Sequence, residues 1–125
     1  MQYLVGTDSV HTTAAICDYL DGRTTSDDSV TVVAAIDDDT ARQDAQEALN
    51  VAPVRLATVD DVDTDVRDGD PASILRDVAD EIGADELVIG ARSGNPDATA
   101  ALGSTAQAIL ESATRPVVVV PVPEL

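Results

Sequence analysis

The chain is 125 residues long, 44% apolar, and carries 24 acidic against seven basic residues, a formal net charge of −17. That length predicts one domain over residues 1–125 with an aliphatic core, because Phe and Trp are absent and Tyr occurs only twice. The acidity speaks against a nucleic-acid partner, which needs a basic patch; no apolar run reaches the roughly 18 residues of a membrane span; and a single cysteine excludes an intrachain disulfide.

The strand and helix signals alternate along the chain. "QYLVGTD" is a short apolar strand, and "SVHTTAAICDYLDG" follows with a helical stripe of Ala14, Ala15, Ile16, Tyr19 and Leu20 that Gly22 stops. Cys17 lies among these apolar positions and is expected as a buried small hydrophobe. "SVTVVAAID" is near-continuously apolar, the pattern of a strand buried on both faces of a parallel sheet. A helix is predicted from about 40 to 50, with Ala45, Leu49, Ala52 and Leu56 carrying the period toward 57 and Pro53 expected to kink or end it. "VDTDVRDG" alternates and predicts a strand over 62–67 near a sheet edge.

"DPASILRDVADEIGA" is a helix with Asp70 as N-cap, Pro71 in its first turn, a stripe of Ile74, Leu75, Val78, Ala79 and Ile82, and Gly83 at its end. "DELVIGA" predicts a strand over 86–90. After the loop "GARSGNPDATAALG", "STAQAILESAT" is a helix with Ala106, Ile109, Leu110 and Ala113 on one face, and "RPVVVVPV" is a fifth strand. The order β-α-β-α-β-α-β-α-β predicts a parallel sheet with helices on both faces, joined by right-handed crossovers.

In such a sheet, ligands bind beyond the carboxyl ends of the strands where the strand order reverses. Gly103, Ser104 and Thr105 stand at the start of the last helix. There unpartnered amides and the helix dipole make an anion seat, although Ser or Thr at that place also serves simply as a cap. The chain has neither GxxxxGK[ST] nor a GxGxxG after the first strand. His11 has no Cys or His cluster to join, Asp37, Asp38 and Asp39 read as a solvated run capping the second helix, and no nucleophile–base pair is discernible, so no catalytic residue is expected. The acids are spread over a periodic apolar chain that is all Arg and no Lys among its cations. This predicts adaptation to molar salt, where the Debye length falls to about 3 Å and self-repulsion is screened. The N-terminus has no basic region or long apolar run, and a cytoplasmic location is expected.

"LVGTD", "RDGDPASILRDVADEIGADELVIGARS" and "GSTAQAILESATRPVVVV" resemble the universal stress protein family (UspA-like), here in a haloarchaeal type. The resemblance covers nearly the whole chain and is least between 40 and 60. It implies a Rossmann-like five-stranded parallel sheet of order 3-2-1-4-5. The nucleotide-binding branch of that family carries G-x2-G-x9-G-[ST] after the fourth strand. Gly90 stands first and Gly103-Ser104 last, while Ser93 replaces the middle glycine and Gly94 follows it. The resemblance implies that Gly90, Ser93, Gly94, Gly103, Ser104 and Thr105 face phosphates and ribose, with Asp8 and Ala35 at the adenosine. Arg92, inside the loop, either offsets phosphate charge or pairs with a surface acid. The implied ligand is ATP or AMP, with or without Mg, in a regulatory homodimer joined through strand 117–121. Two alternatives stand beside it. One is a dimeric interaction module that has lost the nucleotide, which Ser93 favours; the other is a weak Mg-dependent nucleotide hydrolase using Asp37 to Asp39.

Overall fold

The structure, a computed structural model, describes residues 1–91 and 102–122. In chain order these form β1 (Gln2–Thr7), α1 (Val10–Asp21), β2 (Ser29–Ile36), a 3-10 turn (Asp39–Ala41) leading into α2 (Arg42–Arg55), β3 (Asp61–Asp68), α3 (Pro71–Ile82), β4 (Glu86–Gly90), α4 (Ser104–Ser112) and β5 (Val117–Val120). The strands make one sheet of order β3-β2-β1-β4-β5, with every pairing parallel.

The near-continuous apolar strands follow from this layering, because both faces of the central strands are covered. On one face Val5, Val30, Val32, Ala34 and Val88 pack against Ile16, Leu20, Leu49 and Ala52 of α1 and α2. On the other, Leu4, Val33, Leu87 and Ile89 pack against Leu75, Val78, Ala106 and Ile109 of α3 and α4. The edge strand β3 alternates instead: Val62 and Val66 lie on the α2 side, while Asp61, Asp63 and Asp65 are exposed. Carboxylates along an open edge discourage pairing with another chain.

Local signals set the helix ends. Ser9 caps α1 by accepting from the Thr12 amide, and Asp70 caps α3 through the Ser73 amide at 3.1 Å. Pro71 fills the first position of α3, where no N–H is required. Gly83 ends that helix in the left-handed region at φ 63°. Arg115 completes the same terminus from the start of β5. Its Nη1 donates to the carbonyls of Ala79 (2.9 Å) and Ala84 (2.7 Å), and its Nη2 to Asp80 Oδ1 at 2.7 Å. A cation is favoured there by the helix dipole.

Three expectations are corrected. The helix over 40–50 does not end at Pro53; α2 runs to Arg55. Pro53 is exposed on the outer face two residues from the helix end, so it forgoes one backbone bond, while Ala45, Ala48, Leu49 and Ala52 hold the inner face to the core. Leu110 is 44% exposed and Ala113 lies past the last turn of α4, so only Ala106 and Ile109 are buried on that short helix. In α1 the buried face is Thr12, Thr13, Ile16, Cys17 and Leu20, and two of its members are polar.

Cys17 is 1% exposed, and burial pushes its thiol from the ordinary 9.0 up to about 11. Between those values the unfolded chain loses the proton that the folded chain keeps. The thiol's contribution to stability is therefore full below the unfolded value and lost as pH rises toward the folded one. Native protein should leave Cys17 unalkylated by iodoacetamide at about pH 8. Cys17→Ala should narrow the difference in urea midpoint between about pH 8 and about pH 10. Rapid native-state alkylation would contradict the buried placement.

Candidate functional site

The reversal of strand order falls between β1 and β4. The chain leaves β1 toward one face of the sheet and leaves β4 toward the other, so their carboxyl ends part and open a crevice. A cleft of about 210 Å³ occupies that place. Gly6, Val33 and Ile89 line it from the sheet, and Pro71 and Leu75 from α3. Asp8 and Thr12 border it at the β1–α1 turn, and Gly103, Ser104 and Thr105 at the start of α4.

The structure thus brings together six of the nine residues singled out by sequence: Asp8, Ala35, Gly90, Gly103, Ser104 and Thr105 all line this cleft. The other three, Arg92, Ser93 and Gly94, lie outside the described residues. Neither His11 nor Asp37, Asp38 or Asp39 lines it. Asp38 accepts from the Thr40 amide at 3.0 Å, and Asp39 lies 3.5 Å from Arg42, which also bonds Asp68 at 3.2 Å. Among the described residues no three His, Cys, Asp or Glu side chains gather as a metal-binding group.

The two polar borders of the cleft are built differently. At α4, Gly103 is the N-cap with φ −65° and ψ 156°, and no side chain caps the helix. Ser104 and Thr105 are therefore the first two helical residues, and neither occupies the capping position. The Gly103 amide donates to the Ala91 carbonyl at 2.8 Å, which clasps the end of β4 to the start of α4. Helix geometry leaves the next amides without intrahelical acceptors, and the dipole adds about half a positive charge at that end.

At β1–α1 the polar groups satisfy one another. Thr7, Thr12 and Thr13 are the buried polar residues among those described, and all sit on this turn. The Thr7 and Thr13 hydroxyls lie 2.7 Å apart, and the Ser9 carbonyl is within 3.1 Å and 3.0 Å of them. Ser9 Oγ donates to Thr12 Oγ1 at 3.1 Å, and Thr12 Oγ1 donates to Asp8 Oδ1 at 2.9 Å. Sequence reasoning missed Thr7 and Thr12. The available signal was a run of hydroxyl residues, "TDSVHTT", where the helix pattern asks for apolar ones. It also missed Gly6, Pro71 and Leu75, which reach the cleft only through the crossing of α3 over β1.

The described arginines are committed elsewhere. Arg55 pairs with Asp18, Arg67 with Asp65 and Glu81, and Arg115 with Asp80; Arg76 bonds Ser112, and Arg23 lies over the Tyr19 ring. No described arginine lines the cleft.

A parallel sheet of order 3-2-1-4-5 with a cleft at its reversal and helices on both faces defines a Rossmann-like α/β protein. The profile of the Universal stress protein family matches residues 5–121, and the chain belongs to that family. A search of curated proteins returned no significant relative. Among solved structures it is similar to the hypothetical protein MJ0577, at 16% identity and TM-score 0.84 over 99% of this chain and 97% of that one. A universal stress protein in complex with cAMP gives 23% and 0.74, over 98% of each chain. The universal stress protein of Archaeoglobus fulgidus in complex with dAMP gives 21% and 0.70, over 96% and 97%. At these identities the likeness is one of fold.

Gly6 lets α3 approach β1. A Cβ placed there would lie 2.5 Å from Leu75 Cδ1 and 3.4 Å from Ile89 Cγ2. Leu75 is buried and borders the cleft, so a displaced side chain moves into that space. Gly6→Ala should lower stability by about 1–3 kcal/mol, read from urea unfolding in concentrated KCl. An unchanged midpoint would show that α3 does not press on β1 at this point.

Proposed function

We propose that the chain is a salt-adapted, cytoplasmic universal stress protein that binds an adenine nucleotide in the β1/β4 cleft. Occupancy of that cleft would bias its dimeric or partner-bound state. The observation that carries this reading is the pairing of an uncapped α4 start with an apolar slot inside one cleft. The Ser104 and Thr105 amides and hydroxyls take the phosphate, Gly90 and Gly103 give room for it, and Ala35 and Asp8 meet the adenosine. In the same reading Ser93 and Gly94 face the phosphate and ribose, and Arg92 offsets phosphate charge. The cAMP and dAMP complexes of fold neighbours support an adenine ligand.

Charge decides between ATP and AMP. The protein carries a net −17, which a single Arg92 offsets only in part. Each added phosphate therefore raises repulsion in dilute buffer, and AMP is favoured there. In molar salt, with screening over about 3 Å, the penalty on ATP fades while short hydrogen bonds persist. Assembly follows the β5 edge, where Val117, Val118 and Val119 stay partly exposed between Pro116 and Pro121. A twofold dimer through 117–121 is the simplest closure of such an edge. The hydrolase alternative has less support, because Asp37 to Asp39 stand apart from the cleft.

Calorimetric titration with adenosine, AMP and ATP tests the reading at KCl from about 0.1 M to above about 1 M. Saturable heat is expected with AMP, an ATP affinity that rises with salt, and an adenosine affinity that stays nearly flat. Gly103→Asp places a carboxylate over the α4 amides. It should leave the fold intact and raise α4 stability by a few tenths of a kcal/mol, and it should cut AMP binding far more than adenosine binding. No heat with any of the three in concentrated KCl would leave the interaction module as the function.

A further inference from the structure

We propose that Thr12 is a positioning residue of the cleft, whose buried hydroxyl aims the Asp8 carboxylate at the nucleoside. The inference rests on the nucleotide reading above and adds to it a residue that does its work through another. Thr12 is 2% exposed, borders the cleft, and donates to Asp8 Oδ1 at 2.9 Å. A hydroxyl has one proton to give, and here it goes to the carboxylate. The oxygen of Thr12 is held from behind by Ser9 Oγ at 3.1 Å, and Ser9 also accepts from the Thr12 amide at 3.2 Å. The relay therefore has a fixed direction: Ser9 donates to Thr12, and Thr12 donates to Asp8.

The arrangement has a physical purpose beyond satisfying Asp8. Asp8 is exposed, and solvent contributes to stabilising its charge. A buried donor is not needed for that; what it adds is orientation, because a charge-assisted bond to a fixed partner restricts the carboxylate's rotation. Pre-ordering an acceptor before the ligand arrives removes part of the entropy cost of binding. In the nucleotide reading the carboxylate also accepts from a hydrogen-bond donor of the nucleoside, a sugar hydroxyl or an amine, since an ionised carboxylate only accepts. Thr12 is also fixed by its place in the third position of α1, so the aim is set by the helix cap itself.

Binding of adenosine, which has no phosphate, reads this end of the cleft alone. Thr12→Val keeps the shape and removes the donor, and it should weaken adenosine and AMP by a similar factor, on the order of tenfold. Thr12→Ser should recover the affinity to within about threefold of wild type. In an Asp8→Ala background, Thr12→Val should change affinity by less than about twofold, because its effect passes through Asp8. Thermal unfolding of each variant accompanies the titrations. A folded Thr12→Val that binds adenosine like the wild type overturns the inference and leaves the nucleotide reading standing. A penalty that persists in the Asp8→Ala background overturns it too, since Thr12 would then act by another route. Wild-type protein that binds neither adenosine nor AMP overturns both.

Discussion

The reversal of strand order between β1 and β4 is the constraint from which the rest of the molecule follows. A parallel strand pair joined by a right-handed crossover puts its helix on a face set by the direction of travel across the sheet. From β1 to β3 the chain moves one way, and α1 and α2 fall on one face. From β3 the chain crosses back to β4 and then β5, and α3 and α4 fall on the other. The cleft is therefore a consequence of topology, present before any side chain is specified. Side chains only decide what it is lined with: an apolar floor from strand residues, a threonine-rich turn at one border, and a glycine-capped helix start at the other.

Charge acts on a different scale. The arginines among the described residues are spent on local partners, several of them tying distant parts together, as Arg55 does between α2 and α1 and Arg67 between β3 and α3. These pairs are exposed, and such contacts are worth only about 0–1 kcal/mol each. They do not neutralise the surplus of acids. The protein's stability at low salt is thus set by an apolar core working against diffuse repulsion, and added salt relieves the repulsion without weakening the core. Arg115 differs from the surface pairs in being partly buried, and it binds two backbone carbonyls as well as Asp80. It closes α3 where Gly83 turns the chain.

How much of this was legible in the sequence depends on whether the cause was local. The strands and helices were legible because periodicity and capping residues are local: Ser9, Asp70, Pro71 and Gly83 act within one turn of where they stand. The alternation of β3 revealed an edge. Pro53 misled because its effect depends on distance from the helix end, which is fixed by the packing of Leu49, Ala52 and Leu56 rather than by the proline. Leu110 misled because its period is helical while its place on α4 faces solvent. At the site, the place of Gly103, Ser104 and Thr105 at a helix start was legible from the chain pattern, and Asp8 entered through the family resemblance. Gly6, Leu75 and Thr12 were not legible, since their roles arise where α3 crosses β1 and where a helix start folds back on the residue before it.

The two borders of the cleft show opposite solutions to one problem, the unpaired groups of a helix start. At α1 they are met by Ser9, and the bonding extends outward to Asp8, so that border arrives already ordered. At α4 the cap is Gly103, which supplies no side chain. Glycine gives up only a few tenths of a kcal/mol there relative to the best capping residues. That is a small loss, and it keeps a capping side chain out of the cleft. Yet α4 has nine residues, too few to persist on local bonding alone, and its hold is the burial of Ala106 and Ile109 with the Arg76–Ser112 bond at 2.6 Å. Ala106 and Ile109 share one apolar cluster with Leu87 and Ile89 of β4 and with Val117 and Val119 of β5.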